Sequence, residues 1–179
     1  MRLFFGLSLP ALSAAGVSRV LSLAQSIIPG RYTLSSNLHI TLAFLGDTPQ
    51  ERLKDVCAVL QRCAGALPAP HVQFVSPCVF GRMENGILVL LAQENAAFSS
   101  LHEALGHALT DEGLPFSNGP FTPHVTLARH AQAHQDALDA LSCGDIPSFT
   151  PECAHLYLSA RDEKNVLRYT PLFSCPFKK

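Results

Sequence analysis

The sequence predicts an α+β fold with two pseudo-symmetric lobes, each built from an antiparallel sheet and helices, and a cleft between them. The first observation behind this prediction is the order of patterns. Short apolar runs rich in Val, Ile, Leu and Phe alternate with longer stretches of helical spacing, and the order then repeats. The second is the pentapeptide His-x-Thr-Leu-Ala, which occurs at residues 39–43 (the first motif) and at residues 124–128 (the second motif). One motif in each lobe would place the two on either side of the cleft.

Length and composition indicate one domain over residues 1–179, with intertwined rather than separate lobes. The chain can bury a sizeable core, and its 47% hydrophobic and 15% charged residues are typical of a folded protein rather than a disordered one. A net charge of -1 excludes a protein that coats nucleic acid, so a few local groups must hold any phosphate-bearing partner. We expect a monomer.

The first half of the chain predicts two strands, two helices and a hairpin. Pro10 separates an opening apolar run from helical spacing, and Gly46 and Pro49 end the strand that carries the first motif. Residues 84–86 are typical of a hairpin turn. The predicted elements are strands at 2–9, 38–45, 71–80 and 86–92 and helices at 10–28 and 49–64, with Leu12, Val20, Ala24 and Ile27 on a shared side of the first helix.

The second half repeats this order and adds two strands at its end. Helical spacing precedes the strand of the second motif, and a short helical stretch then leads to two further apolar runs. The predicted elements are helices at 97–112 and 132–142 and strands at 121–129, 153–159 and 166–173.

Strand geometry explains the spacing within each motif. Successive side chains of a strand point to opposite faces, so His39 and Thr41 share one face while Ile40 enters the core from the other. His124 and Thr126 repeat this arrangement. Each motif therefore projects an imidazole and a hydroxyl together.

Two histidines and two threonines favour acid and base chemistry on a phosphodiester. With an ordinary pKa of about 6.5, one imidazole can accept a proton while the other donates one. The hydroxyls of Thr41 and Thr126 can donate hydrogen bonds to phosphate oxygens as charge develops there. Arg129 could add a cation, although a regular strand would place it on the face opposite His124. The catalytic candidates are His39 and His124.

The stretches NLHITLAFLG at 37–46 and FTPHVTLAR at 121–129 resemble the two signature strands of the 2H phosphoesterase superfamily. They are most similar to its branch of bacterial RNA 2′,3′-cyclic phosphodiesterases, also called 2′-5′ RNA ligases. RLFF at 2–5 and RYTPL at 168–172 also resemble that branch, whereas residues 160–167 match it only loosely. The resemblance extends over nearly the whole chain.

This resemblance implies a bilobal fold with an internal pseudo-twofold axis and a metal-independent, cofactor-independent enzyme. The implied reaction hydrolyses a terminal 2′,3′-cyclic phosphate to a 2′-phosphate, with reversible 2′-5′ ligation. Its implied partner is RNA with a cyclic phosphate end, or a small cyclic nucleotide. One histidine would activate water while the other protonates the departing ribose 3′-oxygen, and the sequence leaves open which does which. The second motif of this family often has an arginine where Arg129 stands.

Two further residues are candidates for substrate contact. Arg168 is favoured among the remaining arginines as a group that lines the RNA path. Phe44 would face neither motif threonine if alternation holds, so the pattern favours core packing over stacking on a base.

Two other classes of function remain open. A non-catalytic module could bind RNA ends or nucleotides in the same cleft, and hydrolysis of a model cyclic nucleotide would separate it from an enzyme. A metal-binding protein could use His39 and His124 as ligands, but neither motif supplies a cysteine or carboxylate, and metal analysis would decide.

The other histidines and the cysteines suggest no second site. His102 and His107 lie five apart on a predicted helix, which excludes the i, i+4 pair that grips a metal and indicates solvated side chains. The six cysteines contain no C-x-x-C pair and are expected to be free thiols.

The apolar N-terminus resembles a short secretory signal, yet it also fits a buried strand that ends at Pro10. We expect a cytoplasmic protein with no membrane-spanning segment.

Overall fold

An antiparallel sheet and four α-helices form the protein in a computed structural model that describes residues 1–116 and 119–178. The strands are β1 (Arg2–Ser8), β2 (Arg31–Tyr32), β3 (His39–Asp47), β4 (Phe74–Phe80), β5 (Gly86–Ala92), β6 (His124–Ala131), β7 (Cys153–Arg161) and β8 (Leu167–Pro176). The helices are α1 (Ala11–Ile27), α2 (Leu53–Ala64), α3 (Ala96–Asp111) and α4 (Gln135–Asp139).

The two motif strands are neighbours at the middle of the sheet. The strand order is β4-β5-β6-β3-β1-β7-β8, with β2 beside β6, and every ladder between these strands is antiparallel. β3 and β6 pair only through Ile40 and Val125, whereas long ladders join β3 to β1 and β6 to β5. The sheet therefore consists of two halves that meet at the motifs, and the predicted α+β class is confirmed.

The first and last strands of the chain lie in the same half of the sheet. β1 pairs with β3 on one side and with β7 on the other, and β7 pairs with β8. Leu3, Phe5 and Leu7 of β1 are fully buried. This strand therefore fixes the first motif to the core through apolar side chains on one face.

Helix α1 buries a narrower face than its sequence pattern suggests. α1 buries Val17, Val20, Leu21 and Ala24, which follow the i, i+3, i+4, i+7 pattern of one helix face. Leu12 and Ile27 were predicted to share a side with Val20 and Ala24, but they are 75% and 37% exposed and lie outside the core. No helix within the described residues is long and apolar enough to cross a membrane.

Tertiary hydrogen bonds shorten the last predicted helix. The backbone N–H groups of Gln132 and Ala133 donate to the carbonyl oxygens of Pro29 and Met83, so these residues are held out of a helix. α4 then begins after His134, whose Nδ1 accepts a hydrogen bond from Ala137 N–H. The predicted helix at 132–142 is therefore reduced to five residues.

Each motif strand contains a β-bulge at its leucine. In the β1–β3 ladder, Phe5 pairs with Ala43 and Gly6 with Thr41, which leaves Leu42 as the extra residue. In the β5–β6 ladder, Leu127 is likewise the extra residue, because it has no pairing partner in β5. A bulge of this kind puts two successive residues on the buried side and reverses the alternation beyond it. Leu42 with Ala43, and Leu127 with Ala128, are indeed buried in succession.

Candidate active site

The backbone fixes both motif histidines in the same way. Nδ1 of His39 donates to the carbonyl oxygen of Asn37 at 2.7 Å, and Nδ1 of His124 donates to that of Thr122 at 2.7 Å. A carbonyl oxygen can only accept, so each neutral ring carries its proton on Nδ1. Nε2 is then the nitrogen that can take up or release a proton in chemistry.

Asn37 ties the backbone before the first motif to β8. Its side chain donates to the carbonyl oxygen of Leu167 at 2.8 Å and accepts from Tyr169 N–H at 3.3 Å. Asn37 is itself buried, so these bonds are protected from water. The carbonyl that orients His39 is thereby held by a strand from the far end of the chain, a role that the sequence pattern did not reveal.

The hydroxyl of Thr41 bonds to the imidazole of its own motif. Its Oγ1 lies 2.9 Å from Nε2 of His39, and the hydroxyl donates because Nδ1 already holds the ring proton. Within the described residues, no side chain bonds to Nε2 of His124. The two motifs are therefore alike in how Nδ1 is held but differ at the reactive nitrogen.

Burial makes both imidazoles reluctant to take a proton. Burial, together with the charge of Arg129 and the charge that His124 carries when protonated, lowers the pKa of His39 to about 4, while the hydrogen bond to Asn37 opposes this shift. The ring of His39 lies 4.7 Å from that of Phe4 and 5.0 Å from that of Tyr169, which explains its desolvation. Burial, followed by the charge of Arg129, also lowers the pKa of His124. Both rings are neutral at pH 7.

A cavity of about 470 Å³ (the cleft) brings the predicted residues together. His39, Thr41, Thr126 and Arg129 line it. His124 lines an adjoining cavity of about 250 Å³ that shares Thr41 with the cleft. Parts of both motifs, separated along the chain, thus surround one space.

The cleft is positively charged. Arg2, Arg129 and Arg161 line it, and no carboxylate does so within the described residues. Such a lining attracts an anion, because no acidic group offsets the guanidinium charges. Arg2 was not predicted as a site residue, although it belongs to the RLFF stretch that resembles the same family as the motifs.

The bulges correct two sequence predictions. Arg129 was expected on the face opposite His124, but the bulge at Leu127 returns it to the cleft. Core packing was favoured for Phe44, yet this ring is 39% exposed and lines the cleft. The guanidinium of Arg2 lies 5.1 Å from the ring centroid of Phe44, within the range of a cation–π contact.

Arg168 does not line the cleft. Its Nε donates to Oδ2 of Asp162 at 3.0 Å, and its Nη1 to Oγ of Ser36 at 3.4 Å. Its neighbours Leu167 and Tyr169 do line the cleft, because side chains alternate along β8. The lining of the cleft therefore gives no support to the prediction of a substrate contact through Arg168, whereas Tyr169 lines the cleft.

His102 is not the solvated residue that its helical spacing suggested. Its Nδ1 donates to the carbonyl oxygen of Leu42 at 2.8 Å, and its ring stacks on Phe121 with centroids 4.4 Å apart. His107 is exposed, as expected.

The other candidate metal ligands are dispersed. Within residues 1–116 and 119–178, His, Cys, Asp and Glu side chains form no group of three or more placed to hold a metal. The six cysteines are free thiols, and Cys63, Cys143 and Cys175 are buried.

Known proteins with similar sequences and structures share this fold. The family model described as the 2′-5′ RNA ligase superfamily matches residues 14–165. The RNA 2′,3′-cyclic phosphodiesterase of Escherichia coli K12 is 29% identical over 172 residues, covering 96% of this chain and 93% of that protein. That of Geobacillus stearothermophilus is 28% identical over 155 residues, covering 83% of this chain but only 49% of that protein, so the chain spans about half the length of this relative.

A solved structure of Escherichia coli LigT complexed with 3′-AMP has a TM-score of 0.76 and 27% identity, covering 99% of this chain and 98% of that one. The family model alone extends over most of the chain, including both motifs. The chain belongs to the 2′-5′ RNA ligase superfamily.

Proposed function

We propose that this chain is a hydrolase that converts the 2′,3′-cyclic phosphate of an RNA end, or of a small cyclic nucleotide, to a 2′-phosphate. The arrangement of His39 and His124 carries the proposal. Both rings are neutral, both are held through Nδ1 by a backbone carbonyl, and both adjoin a positively charged space. Relatives named RNA 2′,3′-cyclic phosphodiesterase support the same reaction.

The reaction needs two proton transfers, one for each histidine. Nε2 of one imidazole takes a proton from water as the water oxygen bonds to phosphorus. The bond from phosphorus to the ribose 3′-oxygen breaks, and the other ring, protonated at Nε2, gives its proton to that oxygen. The product carries a 2′-phosphate and a 3′-hydroxyl, and the proton returns between the rings through solvent. Each positioned transfer contributes about 100-fold to 10,000-fold in rate.

Hydrogen-bond donors around the cleft stabilise the charge that develops on the phosphoryl oxygens. The hydroxyls of Thr41 and Thr126 and the guanidinium of Arg129 would donate to these oxygens. Thr41 already donates to His39, so it would exchange this partner for the phosphate or share the bond. These groups can act without a metal, and we propose a metal-independent mechanism without a cofactor.

Binding of the substrate phosphate favours protonation of one of the two histidines. Both imidazoles are neutral in the free protein, yet one must be protonated to release the ribose oxygen. A bound phosphate anion raises the pKa of a nearby imidazole, because opposite charges favour the charged form. Substrate binding therefore completes the acid and base pair.

The same step accounts for 2′-5′ ligation. If the 5′-hydroxyl of a second RNA replaces water as the attacking group, the identical bond to the 3′-oxygen breaks and a 2′-5′ phosphodiester forms. The reverse step regenerates the cyclic phosphate. We therefore propose reversible ligation as a secondary activity of the same residues.

One domain supplies every group in this proposal. The strands at both ends of the chain, β1 and β8, belong to one half of the sheet, and β3 joins that half to β6. This interleaving supports a single domain over residues 1–179. The monomeric state and the cytoplasmic location remain predictions from the sequence.

The test is incubation of the protein with an RNA that ends in a 2′,3′-cyclic phosphate. We expect conversion to an RNA that ends in a 2′-phosphate, identified by mass and by comparison with 2′- and 3′-phosphate standards. A 3′-phosphate product would contradict the proposed bond cleavage. Stoichiometric binding without turnover would instead indicate the non-catalytic RNA-end module.

A further inference from the structure

His102 on α3 touches the backbone of one motif and the segment that leads into the other. We propose that it is a positioning residue that holds the bulge of the first motif in the geometry required for the chemistry. This inference rests on the proposed function. It concerns a residue outside both motifs that contacts no reacting atom.

The imidazole of His102 completes the hydrogen bonding of the bulge. Its Nδ1 donates to the carbonyl oxygen of Leu42 at 2.8 Å, and Leu42 is the extra residue of the bulge directly after Thr41. Leu42 is only 1% exposed, so water has little access to replace this donor. A buried carbonyl without a donor is costly, and the backbone would move to find another partner.

In the second motif, a different group donates a hydrogen bond to the carbonyl oxygen of the bulge residue. The carbonyl oxygen of Leu127, the equivalent bulge residue, accepts a hydrogen bond from the backbone N–H of Thr33 at 2.8 Å. Thr33 directly follows β2, the short strand that pairs with β6. The first motif receives its donor from a helix side chain instead. Two unrelated donors at equivalent carbonyls indicate that each bulge depends on this bond.

The ring of His102 also contacts the approach to the second motif. It stacks on Phe121 with centroids 4.4 Å apart and planes 14° apart. Phe121 precedes Thr122, whose carbonyl oxygen accepts the Nδ1 proton of His124. His102 therefore connects the backbone beside Thr41 to the backbone that orients His124, and it sets the spacing between the two motifs.

Loss of the N–H donor should displace Thr41 and Phe44 while leaving the helix packed. Both residues adjoin the bulge, one before it and one after it. A misplacement of about 1 Å in a catalytic site can lower the rate about 100-fold. We therefore expect a fall in kcat that exceeds the change in KM.

The experiment compares two replacements of His102 with a matched control on the same helix. His102→Phe keeps a ring to stack on Phe121 but removes the donor, and should lower kcat about tenfold or more. His102→Asn places an amide N–H near the position of Nδ1 and should retain at least about half of kcat. His107→Phe, at an exposed position, should leave kcat unchanged. Equal losses in the Phe and Asn variants would overturn the proposal.

A double-mutant cycle separates positioning from stability. If His102 acts through Thr41, His102→Phe should cost less than about twofold in a Thr41→Ala background and retain its full cost in a Thr126→Ala background. Rates are measured well below the melting temperature and normalised to folded protein. An undiminished loss in the Thr41→Ala background would show that His102 does not act through Thr41.

A spectroscopic readout keeps this inference separate from the proposed function. In ¹H–¹⁵N spectra, His102→Phe should shift the backbone amides of residues 41–44 far more than His102→Asn does. Absence of wild-type turnover would refute the proposed function, whereas unshifted amides in the Phe variant would refute positioning by His102 whether or not the protein turns over.

Discussion

Phe44 and Arg129 occupy equivalent positions in the two motif strands. Each lies five residues beyond a motif histidine, and a bulge at the intervening leucine directs each side chain into the cleft. One position carries a ring and the other a cation. The two positions are therefore equivalent in the fold but differ chemically. The charge of Arg129 suits a phosphate, and the face of Phe44 suits a base.

Phe44→Ala should weaken substrate binding more than it slows the chemistry. An exposed ring beside the guanidinium of Arg2 offers a stacking surface, and stacking of a base on an aromatic ring contributes about 1–3 kcal/mol. We expect KM to rise about tenfold with kcat within about threefold of the wild type, measured by steady-state kinetics on a cyclic-phosphate RNA end.

The matched control is Arg129→Gln at the equivalent position of the second motif. Because Arg129 would stabilise developing charge on the phosphate, this change should lower kcat itself. A rise in KM of similar size in both variants, with kcat unchanged in both, would contradict the division of roles.

Replacement of either motif histidine should remove most of the turnover, and replacement of both should add little. In the proposed mechanism His39 and His124 each perform half of one coupled proton transfer, and residues that act as a unit are strongly non-additive. We expect at least about a 100-fold loss in kcat for His39→Ala, for His124→Ala and for the double variant. If folded His39→Ala keeps near wild-type turnover, the two-histidine mechanism is wrong.

The pH dependence of kcat/KM should differ from that of kcat. In the free protein the pKa of each motif histidine lies below 6.5, so the singly protonated pair becomes scarcer as the pH rises. We expect the alkaline limb of kcat/KM to begin below pH 6.5, so that kcat/KM continues to fall above that pH. The alkaline limb of kcat should lie at higher pH, since bound phosphate raises the imidazole pKa.

This difference is tested by measuring the pH profiles of kcat and kcat/KM with a cyclic nucleotide, under conditions in which the chemical step limits the rate. A flat kcat/KM from about pH 5 to pH 9 would exclude the acid and base pair.

The free energy of unfolding should fall as the pH drops from about 6.5 to about 4. The pKa of His39 is about 4 in the folded protein against an ordinary value of 6.5, so the unfolded chain binds the proton more readily. Neutral His39 contributes its full stabilisation above pH 6.5. This contribution to the free energy of unfolding decreases by about 3 kcal/mol as the pH falls toward 4.

Urea denaturation at a series of pH values measures this decline. His39→Asn, which retains an amide donor near the position of Nδ1 but cannot titrate, should show a shallower one. Identical pH slopes for the wild type and this variant would refute the assignment of the decline to His39.

Turnover should survive treatment with EDTA. The proposed mechanism assigns the stabilisation of phosphate charge to Thr41, Thr126 and Arg129 and the proton transfers to the histidines, so removal of divalent ions should leave the rate within about twofold. Loss of activity that is restored by added metal would disprove the metal-independent mechanism.

By itself the sequence determined the fold class, most of the helices and strands, and the pairing of His39 with Thr41 and of His124 with Thr126. These features depend on local periodicity, which a strand of alternating side chains expresses directly. The repeated Leu-Ala was also visible. The sequence did not show the structural reason for this repeat, which is that the Leu and the Ala of each motif are buried in succession at a bulge.

Only the tertiary structure determined the direction of the side chains beyond each bulge and the contacts that hold them. A bulge is a mismatch between two paired strands, so it depends on a partner strand and cannot be read from one strand alone. For this reason alternation placed Phe44 and Arg129 on the wrong face. The long-range bond from His102 to Leu42 likewise depends on how α3 packs, since it joins residues 60 positions apart that no local pattern relates.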